Sequence, residues 1–265
     1  MDQTSPETTQ PTVLERLDLA LAGRIVERLT SEDNRPDHLA SSARWVTSAD
    51  DRIAWAAGIL ALRGLRVTGD EVRAMLAGLP NRFRPEHQEH KLVIGLWATL
   101  DELESRGAKG QPPDGWWLVE MFRRTTEQVG RFRNNVLRRD EPWDSIPAVV
   151  YPRSDSIQSL VDRFHVSDRF GDREDVFESL HPVRQGIRLT WRFARMAPFP
   201  DLNLSFAMVA LCAWLRAFGY PLLIPEFGDR TRIERTVRGK IPLRMVPLEF
   251  RLLDTVLRAS VPKSS

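Results

Sequence analysis

The chain has 265 residues, of which 42% are hydrophobic and 28% charged, and its 38 Lys and Arg against 36 Asp and Glu leave a formal net charge of +2. This composition is typical of a globular protein with a sizeable core, and the small net charge does not indicate nucleic acid as a partner. Cys212 is the only cysteine, which excludes an intramolecular disulfide and a cysteine-based zinc site and favours a reduced, cytoplasmic setting. No run reaches the roughly 18 apolar residues that span a membrane. Residues 1–12 lack the pattern of a signal peptide, and we expect them to be a disordered lead-in.

Apolar residues recur every three or four positions through most of the first 130 residues, which is the period of an amphipathic helix. Thr12 and Glu15 form a capping-box pattern, and Thr68 with Glu71 repeats it, so both pairs predict a helix start. We expect residues 13–110 to form an N-terminal helical region. The predicted helices lie at 14–29, 50–63, 68–78, 86–105 and 116–128.

The pattern changes between residues 130 and 153, where two short extended runs at about 132–138 and 146–151 flank polar turn residues. This arrangement predicts a β-hairpin, the only strand pair that the sequence indicates. Helical periodicity then returns, with Pro and Gly between the segments. These later helices are predicted at 155–165, 174–196, 203–218 and 245–259, and the fold class is therefore all-α with one β-hairpin.

Three short motifs occur in a fixed order after residue 129. They are "GRFR" at 130–133, "HPV" at 181–183 and "APFPDLNLSFAM" at 197–208, and "GYP" follows at 219–221. His181 precedes Ala197 by sixteen residues, and Gly219 follows Ala197 by twenty-two. This series resembles the Fic (Fido-domain) family, whose signature HPFxDGNGRxxR stands at the same spacing between "HPV" and "GYP".

The resemblance implies a Fic-like helical core at 111–225 that carries the hairpin as a flap at 132–151. Helices are added at the N-terminus, and a C-terminal helical extension covers 226–265. Members of this family typically transfer AMP from ATP to a protein hydroxyl, with the signature His as general base, the Asp as Mg²⁺ ligand, and the glycines and arginines around the phosphates.

Most of these positions are changed here. Ala197 replaces the general base, Leu202 and Leu204 replace the glycines, and Ser205 and Met208 replace the arginines. Loss of a general base alone costs a factor of about 10²–10⁴ in rate. We therefore expect no catalytic residue and no metal site in this motif, and no cofactor.

Two signature residues remain, Asp201 and Asn203. They are the candidates for residual metal or nucleotide binding. Asp and Asn also favour helix N-termini and turns, and the sequence favours this interpretation, a capped helix start with no ligand.

Many members of the resembled family carry an inhibitory helix, (S/T)xxxE(G/N), whose Glu pairs with the last signature Arg. Residues 59–72 resemble the segment around that helix, with Arg63 at the position of the Glu. Because Met208 replaces the Arg, both ends of the inhibitory ion pair are expected to be absent. A solvated arginine at a helix end is the alternative for Arg63.

The leading functional interpretation is a catalytically degenerate Fic-like domain, a pseudoenzyme that acts as a protein-binding or regulatory module. The flap residues expected to dock a protein partner are Arg131, Phe132, Arg133, Val149, Val150 and Tyr151. The alternative is a Fic-like transferase with another donor or mechanism, which would need ATP and Mg²⁺ or a related donor.

A third interpretation is nucleic-acid binding by a basic stretch in the C-terminal part of the chain, at 229–244. It contains Arg230, Arg232, Arg235, Arg238, Lys240 and Arg244. No aromatic residues interleave with these cations, so a solvated basic surface is favoured and nucleic acid is not expected as a partner. The sequence predicts neither the partner nor the oligomeric state.

Overall fold

A computed structural model describes residues 47–164, 182–220, 222–226 and 228–238 of the chain. These residues form eight α-helices and two short 3₁₀ turns, and no strand occurs among them. The helices are α1 (Ala49–Arg63), α2 (Gly69–Leu76), α3 (Gln88–Ala108), α4 (Gly115–Thr126), α5 (Ile157–Asp162), α6 (Pro182–Met196), α7 (Asn203–Ala217) and α8 (Asp229–Arg238). The helices predicted at 14–29 and 245–259 and the lead-in at 1–12 lie outside the described residues.

The first two helices begin at capping boxes, as the sequence pattern predicts for α2. Thr68 Oγ1 accepts a hydrogen bond from Glu71 N, and the Glu71 carboxylate accepts one from Thr68 N. Ser48 and Asp51 form the same exchange ahead of α1. Gly64 ends α1 with φ at +91°, a left-handed conformation that glycine adopts without steric cost.

Helix α7 is the centre of the core. It packs against α6, α3 and α1, and nearly all of its residues are buried. Cys212 lies in this helix, where its thiol accepts a hydrogen bond from Trp55 Nε1 and burial raises its pKa to about 12. The thiol is therefore protonated and serves as a core residue. No helix in the described ranges combines the length and the apolarity that crossing a membrane requires.

The predicted flap hairpin at 132–151 is wrong, because the described chain has turns and a 3₁₀ turn (Gly130–Phe132) in its place. Two backbone donors of this segment bind the loop between α6 and α7, and several others bind carbonyls within the segment itself. Arg138 N donates to Pro198 O at 2.9 Å, and Trp143 N donates to Pro200 O at 2.7 Å.

Proline and a strained residue further exclude a regular hairpin. Prolines at 142, 147 and 152 have no backbone N–H to donate to a ladder. Ala148 has φ at +66°, outside the extended region. Residues 130–153 therefore form an irregular cover, and we call this segment the cover segment.

Candidate functional site

The loop at 197–202 joins α6 to α7 and is enclosed by protein; it begins the motif that resembles the Fic signature, and we call it the signature loop. Every residue from 196 to 213 is buried, including Ala197 and Asp201. Phe199 lies among other phenylalanines, stacked on Phe122 with ring centroids 4.1 Å apart and edge-on to Phe206 at 5.3 Å. These rings fix the loop in the core.

Two arginines from distant parts of the chain bind the Asp201 carboxylate. Arg63, the last residue of α1, forms an ion pair with it through Nε and donates from Nη2 to Oδ2 at 3.3 Å. Arg131 donates to the same Oδ2 from Nη2 at 2.9 Å. The carboxylate is 0% exposed, whereas the side chains of Arg63 and Arg131 are 28% and 40% exposed. Arg63 is therefore not the solvated helix-end arginine that the sequence allows.

Arg131 also connects the site to exposed aromatic surface. Its guanidinium lies 4.7 Å from the centre of the Phe132 ring and 5.4 Å from that of Trp143. The two rings stack on each other, and Trp143 is 50% exposed. The cation and the rings attract one another through the ring quadrupole, which holds Arg131 beside Asp201.

Asp144 of the cover segment caps the N-terminus of α7. Its Oδ2 accepts from Asn203 N at 2.6 Å, and its Oδ1 accepts from Asn203 Nδ2 at 2.7 Å. Neither Asp201 nor Asn203 is the N-cap residue, which is Leu202 with no side-chain cap. The cap of α7 therefore comes from a carboxylate 59 residues away in the sequence, and not from Asp201 or Asn203.

The Asn203 side chain closes the loop on itself. Its Oδ1 accepts from Phe199 N at 3.0 Å, and its Nδ2 donates to Phe199 O at 2.9 Å. Burial raises the pKa of Asp144 above its usual value, and repulsion from Asp201 adds to the rise, while the hydrogen bonds from Asn203 oppose it. The α7 N-terminus, a position that favours anions, is therefore filled by an internal carboxylate.

Leu202 holds a left-handed conformation, with φ at +63°, at the position of the first signature glycine. Leucine adopts this conformation at a cost of roughly 1–2 kcal/mol. Ala197, at the position of the signature His, also has positive φ, at +42°. The backbone at Leu202 therefore has a left-handed turn of the kind that glycine favours.

The other substituted signature positions have become core. Leu204 and Met208 are buried in α7, and Ser205 Oγ donates to Ile59 O of α1 at 2.8 Å. None of the three carries a positive charge that could bind phosphate.

The six residues expected to dock a partner do not form one surface. Phe132 and Val149 are buried, and Tyr151 is half-buried with its hydroxyl accepting from Ile146 N at 2.9 Å. Arg133 is exposed, and Val150 is 84% exposed. Arg131 binds Asp201, as described above.

Two site residues, Asp144 and Arg138, were missed by the sequence analysis. Arg138 is buried, and its guanidinium donates to the carbonyls of Ala197, Asp140 and Pro152 at 2.6–2.9 Å. No local pattern marks either residue, because their partners are distant in the sequence or are backbone carbonyls.

Three residues named in the sequence analysis, His181, Lys240 and Arg244, lie outside the described residues. In α8, Arg230 pairs with Glu234 and Arg232 with Asp229, so carboxylates of the same helix partner these cations. Within the described ranges, no group of three His, Cys, Asp or Glu side chains is arranged to hold a metal ion.

No protein-family model matches the sequence, and no curated protein matches it. Solved structures do match. A Fic domain containing signaling protein from Bacteroides thetaiotaomicron superposes with a TM-score of 0.60 at 16% identity, over 92% of this chain and 94% of that one. The chain has the Fic-domain fold.

A second Fic structure agrees. Fic-1 from C. elegans superposes with a TM-score of 0.64 at 16% identity, over 94% of this chain and 72% of that one. At this identity the likeness is one of fold, and the chemistry of this Fic-fold chain depends on its own site residues.

Proposed function

We propose that this Fic-fold chain is a pseudoenzyme that does not transfer AMP and acts as a protein-binding or regulatory module. The observation that carries the proposal is the binding of the Asp201 carboxylate by Arg63 and Arg131. Its remaining hydrogen bond comes from Leu202 N to Oδ1 at 2.7 Å.

The residues present do not fit Mg²⁺. The ion needs near-octahedral oxygen ligands at about 2.0–2.1 Å and commonly keeps several waters. At Asp201 both carboxylate oxygens are bound by guanidinium groups, and the loop around them is buried. A divalent cation would have to displace two positive charges and open the cover segment.

The residues do not fit a polyphosphate either. Asp144 occupies the α7 N-terminus, where an anion would gain most from the helix dipole. A phosphate there would face this carboxylate and the side chains of Leu202 and Leu204. Ala197 offers no group that could accept a proton from a hydroxyl.

The exposed part of the cover segment supports a binding role. Val150 and Trp143 are 84% and 50% exposed, and both belong to the segment that lies on the signature loop. Because no strand edge is present there, we propose docking through these apolar side chains and not by addition of a strand.

A second candidate, a transferase with altered chemistry, is favoured by one observation. A polar cluster survives at the loop, formed by Arg63, Arg131, Asp144, Asp201 and Asn203. Its members bond to one another, which favours the pseudoenzyme. A rearrangement that frees Asp144 would give the cluster a carboxylate base.

The deciding experiment is calorimetric titration of the full chain with Mg-ATP, Mg-GTP and CDP-linked donors, with mass spectrometry for covalent transfer. The proposal expects no nucleotide bound at the loop and no transferred group. Transfer to a protein hydroxyl that is lost in Asp144→Asn would overturn it in favour of the second candidate.

The binding role is tested by capture of partners on immobilised protein. A specific partner should be retained by the wild type and by Leu79→Glu, which changes an apolar side chain that is 58% exposed outside the cover segment. The same partner should be lost with Val150→Glu and with Trp143→Ser. Equal capture by all four proteins would contradict docking at the cover segment.

A further inference from the structure

A separate cavity of about 660 Å³ lies between the C-terminal end of α1, the segment that leads to α2 and the first turn of α8. This volume is within the range of small-molecule sites, about 300–1,000 Å³. Its apolar wall is formed by Ala61, Leu65 and Val67. None of the five clustered polar residues at the signature loop lines it.

Three arginines also line this cavity: Arg66, Arg82 and Arg230. Arg82 forms an ion pair with Glu71 and donates to Arg66 O at 2.6 Å. Arg230 pairs with Glu234 at 2.8 Å. Two carboxylates thus offset two of the three cations.

The guanidinium of Arg66 is the cation left over. It is exposed and makes no hydrogen bond or ion pair within the described part of the chain. A guanidinium presents paired donors that match a carboxylate or a phosphate in a bidentate arrangement. An uncompensated cation at the rim of an apolar cavity is suited to an anionic group attached to an apolar body.

Gly64 lies beside Arg230 at this cavity. A Cβ on Gly64 would lie 2.5 Å from Arg230 Nη1, the far end of a flexible side chain, so Arg230 would have to shift if this residue had a side chain. Gly64 also has φ at +91°, a conformation that favours glycine.

We infer that this cavity binds a small organic anion whose apolar body contacts Ala61, Leu65 and Val67 and whose anionic group is bound by Arg66 beside Arg82 and Arg230. The site is independent of the proposed function, because Arg63 points its guanidinium to Asp201 and not to this cavity.

The test is calorimetric titration of the full chain with phenyl phosphate and with benzoate, which share an apolar ring and differ in the anionic group. We expect 1:1 binding of at least one of them. Inorganic phosphate lacks the ring and phenol lacks the charge, so each should bind about tenfold more weakly or not at all.

Arg66→Met should weaken the phenyl phosphate or benzoate binding by about tenfold or more, since a hydrogen bond to a charged group is lost. Arg139→Met is the matched control, because Arg139 is also exposed and without a described partner but lies outside the cavity. Circular dichroism checks that both variants fold. Equal affinities in the two variants, or no binding of either probe at millimolar concentration, would overturn the inference.

The same pair of variants separates this site from the signature loop. ATP is itself an anion with an apolar base, so heat from ATP that disappears in Arg66→Met belongs to this cavity. Heat that persists in Arg66→Met belongs elsewhere and counts against the pseudoenzyme.

Discussion

Arg63 and Asp201 lie 138 residues apart in the sequence and form an ion pair at the buried signature loop. By resemblance, Arg63 stands at the position of the Glu in a Fic-type inhibitory helix, and Asp201 stands at the position of the metal ligand in the signature. Met208 is buried and carries no charge, and Arg63 pairs with Asp201. The end of α1 therefore contacts the signature loop through the positive charge of Arg63, whereas the resembled inhibitory helix has a negatively charged Glu at that position.

We expect Arg63→Met to destabilise the fold by about 2 kcal/mol, because a fully buried carboxylate loses one of its two cationic partners. Chemical denaturation measures this difference. The double variant Arg63→Met with Asp201→Asn should recover part of the loss, since the uncompensated charge is removed. No recovery would mean that Arg63 acts through packing alone.

Arg73→Met is the matched control for that experiment. Arg73 pairs with Asp50 and Asp70, but its side chain is 54% exposed and its partners are more exposed still. Exposed ion pairs contribute about 0–1 kcal/mol. A loss at Arg73 as large as that at Arg63 would contradict the role given to burial.

Much of the fold was predictable, because helical periodicity and capping residues are local signals. Thr68 and Glu71 predicted the start of α2, and the predicted helix at 50–63 differs from α1 by one residue. The predicted hairpin is wrong because of contacts in the tertiary structure. Arg138 N and Trp143 N donate to carbonyls of the signature loop and not to a second strand.

The candidate site was predictable only where residues match the signature. The differences from the signature at Ala197, Leu202 and Met208 can be read from the sequence, but the side chains that bind Asp201 and Asn203 cannot. Asp144 and Arg131 lie 59 and 70 residues from their partners. Such pairs depend on how the chain returns to the loop, which periodicity does not encode.

Leu202 offers a direct test of backbone strain. Within a helix, a protein with alanine at a given position is normally more stable than the same protein with glycine there, by about 0.5–1 kcal/mol. At Leu202, with φ at +63°, we expect Leu202→Gly to equal or exceed Leu202→Ala in stability, because glycine relieves a cost of roughly 1–2 kcal/mol. Leu204 lies inside α7, so Leu204→Ala should be the more stable of its pair. Thermal and urea unfolding of the four variants would check the reversal, and the same order at both sites would contradict it.

Asp144 predicts a pH dependence of stability. Its folded-state pKa is raised above the ordinary value of 3.8, chiefly by burial. As pH rises, Asp144 therefore loses its proton at a lower pH in the unfolded chain than in the folded one. The stability that the protonated Asp144 contributes to the fold is fully present below about pH 3.8, and it is lost as pH rises through the folded-state pKa. We expect the stability of the wild type relative to Asp144→Asn to fall over that window. The hydrogen bond from Arg123 lowers the pKa of Glu120 to about 2 despite burial. Because both proteins contain Glu120, its effect on stability cancels in the difference between them. A flat or rising difference would contradict the prediction.

Arg138 tests whether the cover segment depends on charge or on geometry. Its guanidinium is buried, which lowers its pKa, and it donates to carbonyls of the signature loop and of the cover segment. Lysine keeps the charge but lacks the planar fork that reaches several carbonyls at once. We therefore expect Arg138→Lys and Arg138→Met to lose similar stability, about 2 kcal/mol, and to raise the amide exchange rate of Trp143, whose N–H binds Pro200 O.

Arg139→Lys, at the exposed neighbouring position, should leave the amide exchange rate of Trp143 unchanged. If Arg138→Lys kept the protection of Trp143, a positive charge alone would hold the cover segment, and the forked hydrogen bonds would be incidental.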